Sequence, residues 1–372
     1  MKSQIVIAFL LIAALGMGVV GYNYLYPPQA PAQTDVRPEA APVTGQVNEV
    51  EGASFSEAAG RIQAFIDSRR TGDGFYKYSF SCENDPQGCG FASGEVELIY
   101  PTSNSWTALS NLGIYKMTGD GSRLDRAKAD ADKLIEWCSA DPRMCLWVLS
   151  QVSELEKETG DSKYSSFLMS QGEMLLSIDD DTDSEIVGQR NSRMMLGIEA
   201  RELAQIYGLA KDQRYIDEAE RRIQESASDS LPDVTVVYEF DGNKYTTMSC
   251  WTHLANAQIA EATGDGAYTQ RVESFLSAFK PAQNVVYMSF MTDLQPCAEL
   301  YQMAADLTGK DEYRSAAASM ASSMLDRLWD TPENIFANGN DAVLTSSASH
   351  VDTITDNAYM VWLLSKDEGV IA

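Results

Sequence analysis

The chain has 372 residues, room for one large domain or two ordinary ones, and its 44% apolar and 22% charged residues are the composition of a globular protein. It carries 28 Lys and Arg against 54 Asp and Glu, a formal net charge of −26. That field repels nucleic acid and anionic lipid headgroups, which excludes both as partners, and it favours neutral or cationic ligands.

The first element is a membrane segment. Lys2 precedes an uncharged run from Ile5 to Tyr26, long enough as a helix to span roughly 30 Å of hydrocarbon. Tyr22, Tyr24 and Tyr26 would sit at the outer interface. The run exceeds the apolar core of a usual signal peptide, so 1–26 reads as an uncleaved signal anchor with Lys2 on the cytoplasmic side. Cleavage after Ala30-Pro31-Ala32 is the competing reading. Both export the rest of the chain, and the first makes a single-pass membrane protein with an extracellular or periplasmic domain. Residues 27–52 hold five Pro and many small residues, a semi-extended stalk without a core. The folded domain is expected over 53–372.

A short phrase then recurs. "IYKMTGDGSRL" (114–124) is followed by "ELEKETGDSKY" (154–164), "AQIYGLAKDQRY" (204–215), "AEATGDGAY" (260–268), "ADLTGKDEY" (305–313) and "WLLSKDEGV" (362–370). An amphipathic Ala-, Leu- and Met-rich segment such as "NSRMMLGIEARELAQIY" precedes the phrase, and a more charged one such as "QRYIDEAERRIQESA" follows it. The Gly is expected to end one helix in a left-handed cap, and the aromatic or Leu after it to anchor the next. Each phrase is thus the tight turn of a helical hairpin, at a repeat-like period. The first helix (54–70) lacks an inner partner before it, and the last (about 352–365) lacks an outer partner after it. Pairing the two gives six hairpins in a ring. An open solenoid is the competing architecture, but the ends complement each other rather than cap.

This count resembles the (α/α)6 toroid, and "DNAYMVWLL" (356–364) with the Thr-Gly-Asp-x-x-Tyr phrasing is similar to the six-hairpin glycosidase superfamily. The resemblance covers about 53–372 and implies a fold more than an activity, since many chemistries use this ring. The fold expected is all-α, a toroid of six helical hairpins with β-hairpin decorations on one rim, preceded by the transmembrane helix.

In such a ring the turns lie on one side, and the starts of the inner helices with their feeding loops form a concave mouth on the other. The feeding loops are long. Residues 75–100 contain "FYKYSF" and "GEVELIY", and "VTVVYEFDGNKYTTM" (234–248) reads as a β-hairpin turning at Asp241-Gly242-Asn243. At the six inner-helix starts stand Asn104 and Trp106; Arg143 and Trp147; Arg190 and Arg193; Trp251 and His253; Asp293 and Gln295; and His350, Asp352, Asp356 and Asn357. Both histidines of the chain are among them, although the Asp and Asn also suit simple helix N-caps.

Six cysteines remain. "CENDPQGC" and "CSADPRMC" share one spacing around a central Asp-Pro turn, and in an exported domain they read as local disulfides, Cys82–Cys89 and Cys138–Cys145. Cys250 and Cys297 open neighbouring inner helices, where a third bridge is sterically sensible. The competing reading is tetrahedral zinc on Cys250, His253, Asp293 and Cys297. The ring also resembles, at fold level, the zinc-bearing protein prenyltransferases and lanthionine cyclases, but neither family's ligand motif is reproduced. The acidic run "IDDDTDSE" (178–185) lacks the Gly and the twelfth-position Glu of an EF-hand and reads as a solvated loop. No Gly-rich phosphate loop, GxSxG elbow or HExxH helix occurs, so no cofactor and no metal are expected.

Two functional classes follow. One is a glycan-active enzyme, a glycoside hydrolase or lyase. In it Asp293 and Asp356 are the paired carboxyls, Asp356 lying where the resemblance implies an acid, and His253 assists proton transfer. Trp106 and Trp251 would stack on sugar faces, Arg190 and Arg193 would grip a uronic carboxylate, and His350 and Asp352 would complete the substrate contacts. The other class is a non-catalytic ectodomain that binds glycan or protein at the mouth. Zinc chemistry on the Cys-His-Asp-Cys set is a third.

Overall fold

The computed structural model describes residues 54–76, 78–80, 96–98, 101–140, 148–178, 193–226, 237–240, 243–246, 249–283, 291–330, 335–336 and 354–367. The predicted membrane segment, the stalk and the acidic run from 179 onward lie outside them. Among the described residues no helix is long and apolar enough to cross a membrane.

Twelve helices are described. In chain order they are α1 (Phe55–Ser68), α2 (Pro101–Thr118), α3 (Gly121–Ala140), α4 (Leu149–Thr159), α5 (Ser162–Ser177), α6 (Arg193–Ala210), α7 (Gln213–Ser226), α8 (Ser249–Thr263), α9 (Gly266–Phe279), α10 (Met291–Thr308), α11 (Asp311–Leu328) and α12 (Ile354–Asp367). The even-numbered helices form an inner ring, each packed on the next, and α12 closes it against α2. The odd-numbered helices lie outside, paired as α2–α3, α4–α5, α6–α7, α8–α9 and α10–α11. The sixth pair is α12 with α1, the last helix with the first, which is the closure that the unpaired ends predicted.

The turn phrase has a repeated physical basis. Thr118, Thr159, Thr263 and Thr308 each donate their Oγ1 to the carbonyl four residues back, closing the end of an inner helix. The same oxygens then accept from the N–H two residues on. Between them Gly119, Gly160, Gly264 and Gly309 hold φ of 70°, 62°, 72° and 68°, a left-handed cap that costs glycine nothing. Asp120, Asp161 and Asp265 then cap the outer helix, accepting from the N–H two residues further on. In the third hairpin Lys211 occupies the glycine position at φ 55°.

The tyrosine after the turn is a latch. Tyr164, Tyr215 and Tyr313 donate to Asp132, Glu173 and Glu273, acids on the preceding outer helix, and Tyr268 bonds Glu220 in the same way. A cation from the same turn or helix joins each acid: Lys163, Arg214, Arg271 and Lys310. The outer layer is thus stitched in one direction around the ring.

Close approach positions the inner helices. A Cβ on Gly197 of α6 would meet backbone atoms of Trp251 and Thr252 in α8 at 2.9 Å, so only glycine lets these helices pack at this distance. Two buried side chains of the wall bind across elements. Arg222 of α7 meets Glu199 and Glu218 and donates to the Leu175 carbonyl at 2.8 Å. Glu202 of α6 accepts from the Leu149 N–H at 2.8 Å, capping α4, whose own N-cap Val148 has no side-chain acceptor.

The links from each outer helix to the next inner one lie opposite the turns, and three carry short antiparallel pairs. They are β1 (Tyr78–Phe80) with β2 (Val96–Leu98), β3 (Val237–Phe240) with β4 (Asn243–Thr246), and β5 (Trp329–Asp330) with β6 (Ile335–Phe336). The first two were predicted. Asn243 pairs with Phe240 as part of β4 rather than of the turn.

Candidate functional site

At the mouth end of the inner ring, Trp106 in the second turn of α2 stacks on Tyr359 of α12, with ring centroids 4.0 Å apart. Trp251 in the first turn of α8 lies 6.1 Å from the same ring. All three are buried, and the Trp251 indole Nε1 has no hydrogen-bond partner. One turn above Tyr359 stands Asp356, 5% exposed, whose backbone carbonyl accepts from Gln295 Nε2 of α10 at 2.7 Å. The structure therefore gathers Trp106, Trp251, Asp356 and Gln295 at one end of the ring. Tyr359, which the sequence reading passed over, lies at their centre.

Beneath the aromatics the lumen is closed by ions. Arg201 of α6 grips Glu299 of α10 with two bonds of 2.7 and 3.0 Å. Tyr359 donates to the same carboxylate at 2.5 Å and Lys366 at 3.3 Å. Burial alone would raise the Glu299 carboxyl, but Arg201 and Lys366 outweigh it and hold the group well below its ordinary value. These partners favour the Glu299 anion, and their four bonds occupy both of its oxygens. Burial and this charge push the Tyr359 phenol well up, so it remains a donor. The sequence holds a signal for this floor: Gln295, Glu299, Gln302 and Asp306 recur at helical spacing on the otherwise apolar α10, a polar stripe facing the axis.

Other expected residues are placed differently. His253 does not face the mouth. Its ring stacks on Phe275 of the outer helix α9 at 4.1 Å, and burial, with the nearby charge of Arg271, pushes the imidazole down to about 3. The reason is helical geometry: Trp251 and His253 are two residues apart, about 200° around the helix, so both cannot face the axis. Asn104 is spent on the wall, its Oδ1 accepting from the Tyr76 N–H at 2.9 Å. Asp293 and Arg193 lie within α10 and α6, but their side chains, like all of Arg143, Trp147, Arg190, His350 and Asp352, lie outside the described residues.

No protein-family model matches the sequence, and a comparison with curated proteins finds no match. Solved structures do match. An unsaturated glucuronyl hydrolase specific for heparin superposes with a TM-score of 0.60 at 11% identity, covering 85% of this chain and 97% of that one. An α-1,6-mannanase from Salegentibacter sp. HEL1_6 gives 0.58 at 15% identity over 84% and 99% of the two chains. An inactive variant of that mannanase in complex with α-1,6-mannotetrose gives 0.58 at 16% identity over 85% and 99%. The chain has the six-hairpin glycosidase-like toroid fold.

Within this toroid, Cys250 of α8 and Cys297 of α10 form a disulfide with Cα atoms 5.1 Å apart, joining two inner helices just below the mouth. This disulfide competes with the zinc reading. The two sulfurs are bonded to each other, and the His253 ring lies against Phe275 of the outer helix. Cys138 is also disulfide-bonded, while Cys82, Cys89 and Cys145 lie outside the described residues.

Proposed function

We propose that this toroid is a glycan-active protein that takes carbohydrate into its mouth, as a glycoside hydrolase or lyase, and that the 1–26 anchor holds it on the outer face of a membrane. The observation that carries the reading is the Trp106–Tyr359 stack with Trp251 beside it, at the end of the ring opposite the hairpin turns. Aromatic faces meet the C–H faces of sugars with large apolar area and little entropy loss. The similar folds of a mannanase and a glucuronyl hydrolase support the substrate class. Disulfides support an oxidising compartment.

In this reading Asp356 is the acid and Asp293 its partner across the mouth. A separation of about 6.5–9.5 Å would give inversion and about 5–5.5 Å retention. Arg190 and Arg193 would bind a uronic carboxylate, with His350 and Asp352 as further substrate contacts. The non-catalytic reading is favoured by one observation: Glu299, a fully buried carboxylate of α10, is locked by Arg201 and Lys366.

Incubating the full chain with a polysaccharide panel that includes α-1,6-mannan and unsaturated glucuronyl oligosaccharides, and assaying new reducing ends, tests the two. Turnover that Asp356→Asn abolishes while binding persists identifies the hydrolase. Binding without turnover, weakened about 1 kcal/mol or more by Trp251→Ala, identifies the binder. Absence of both moves the function away from the mouth.

A further inference from the structure

Below the Arg201–Glu299 floor the lumen opens again, toward the rim of the hairpin turns. This cavity encloses about 430 Å³, and all six inner helices contribute to its wall. It is funnel-shaped: Arg201, Gln258, Gln302 and Trp362 at its depth are buried, whereas Glu261 and Asp306 at its entrance are exposed, Asp306 to 79%. The size falls within the range of small-molecule pockets, about 300–1,000 Å³.

Its charges are already matched. Arg201 and Lys366 sit on Glu299, Lys157 on Glu154 and Glu261, and Lys116 on Glu158. A charged ligand would have to break one of these pairs. A hydroxyl both donates and accepts, so it can join an ion pair without displacing either partner. Two further atoms on wall residues have no partner, the Arg201 Nε donor and the Gln302 Oε1 acceptor. The Gln302 amide is oriented by its Nε2, which donates to the Leu363 carbonyl at 3.1 Å. Both atoms are buried, so a ligand hydroxyl would meet this donor and this acceptor through a small shift of the Gln302 and Arg201 side chains. Met303 and Leu307 supply an apolar side.

We propose that this turn-side cavity is a second ligand site, separate from the mouth, for a neutral polyhydroxy compound the size of a mono- or disaccharide. It goes beyond the reading of the mouth and does not depend on it.

Hydrogen–deuterium exchange on the full chain, with mannose, mannobiose, cellobiose and D-glucuronate as probes, reads the two ends of the ring separately. The expected result is that a neutral sugar protects 299–308 and 362–367. Asp306→Trp at the exposed entrance, and Gln302→Leu in the wall, should each weaken that protection tenfold or more in titration. Trp251→Ala at the other end should leave it unchanged. Asp306→Trp changes a surface position, so its melting curve should overlay that of the parent. Protection by no neutral sugar, protection by D-glucuronate alone, or protection that survives Asp306→Trp would each overturn the proposal.

Discussion

Glu299 shows how one side chain organises the ring. Its carboxylate receives Arg201 from α6 and Tyr359 and Lys366 from α12, with Arg201 and Glu299 exposed by 6% and 1%. Removing its charge takes the bonded carboxylate from Arg201 and Lys366 and leaves them only the more distant Glu154, so Glu299→Gln should lose about 3 kcal/mol of stability in urea unfolding. His253 makes the second residue-scale case. Its folded pKa is about 3, and about 6.5 is expected in the unfolded chain. Between those values the unfolded state binds the extra proton, so this group's contribution is present above about pH 6.5 and is lost as pH falls toward 3. His253→Phe keeps the stack on Phe275 and should reduce the loss of stability between pH 6.5 and 4 by about 3 kcal/mol relative to the parent. Asp130, raised to about 7 by burial, titrates with the opposite sign over much of that window, which is why the comparison must be with the parent. Neither partnership was legible in the sequence. Arg201 and Glu299 are 98 positions apart. α8 is apolar on nearly every face, so nothing along it marks which side meets the axis.

At the scale of the element, much more was legible, because the chemistry is local. Thr, Gly and Asp each perform one step of a helix reversal, and all three act within four or five residues of each other. The tyrosine three positions after the turn's Asp or Lys could be seen as an anchor, but its acid on the preceding outer helix could not, since that pairing spans 32 to 48 residues. The third hairpin departs from the pattern, and the departure has a measurable consequence. Lys211 holds a left-handed φ of 55°, where a Cβ crowds the backbone. Its Nζ lies over the exposed face of Tyr207, a weak compensation. Lys211→Gly should therefore stabilise the protein by about 1 kcal/mol, read as a rise in the urea midpoint at unchanged slope.

For the whole molecule, closure is the property that separates a ring from a solenoid, and it rests on α12 packing against both α2 and α1. Five hairpins have covalent turns, and the sixth, between α12 and α1, is where the chain is open. The start of α1 already carries the chemistry of a turn exit. Ser54 caps it, accepting from the Glu57 N–H at 3.2 Å, the role that Asp120, Asp161 and Asp265 play elsewhere. α12 runs toward the turn rim and α1 leaves it, because α1 delivers the chain to the mouth-side link before α2. A permutant that joins Asp367 to Ser54 through a Thr-Gly-Asp turn, and opens between Gly264 and Asp265, should then rebuild the same ring. The new turn converts the α12–α1 contact from distant to local, while the cut removes one cap. The two changes are of similar size, about 1 kcal/mol each, so the permutant should unfold within about 2 kcal/mol of the parent in a single cooperative transition. The Cys250–Cys297 bridge does not cross the cut in a way that strains it, since both cysteines remain at the mouth side of helices that keep their neighbours. An open solenoid would respond differently: joining its ends would force two distant caps together, and the permutant would aggregate or melt in two steps.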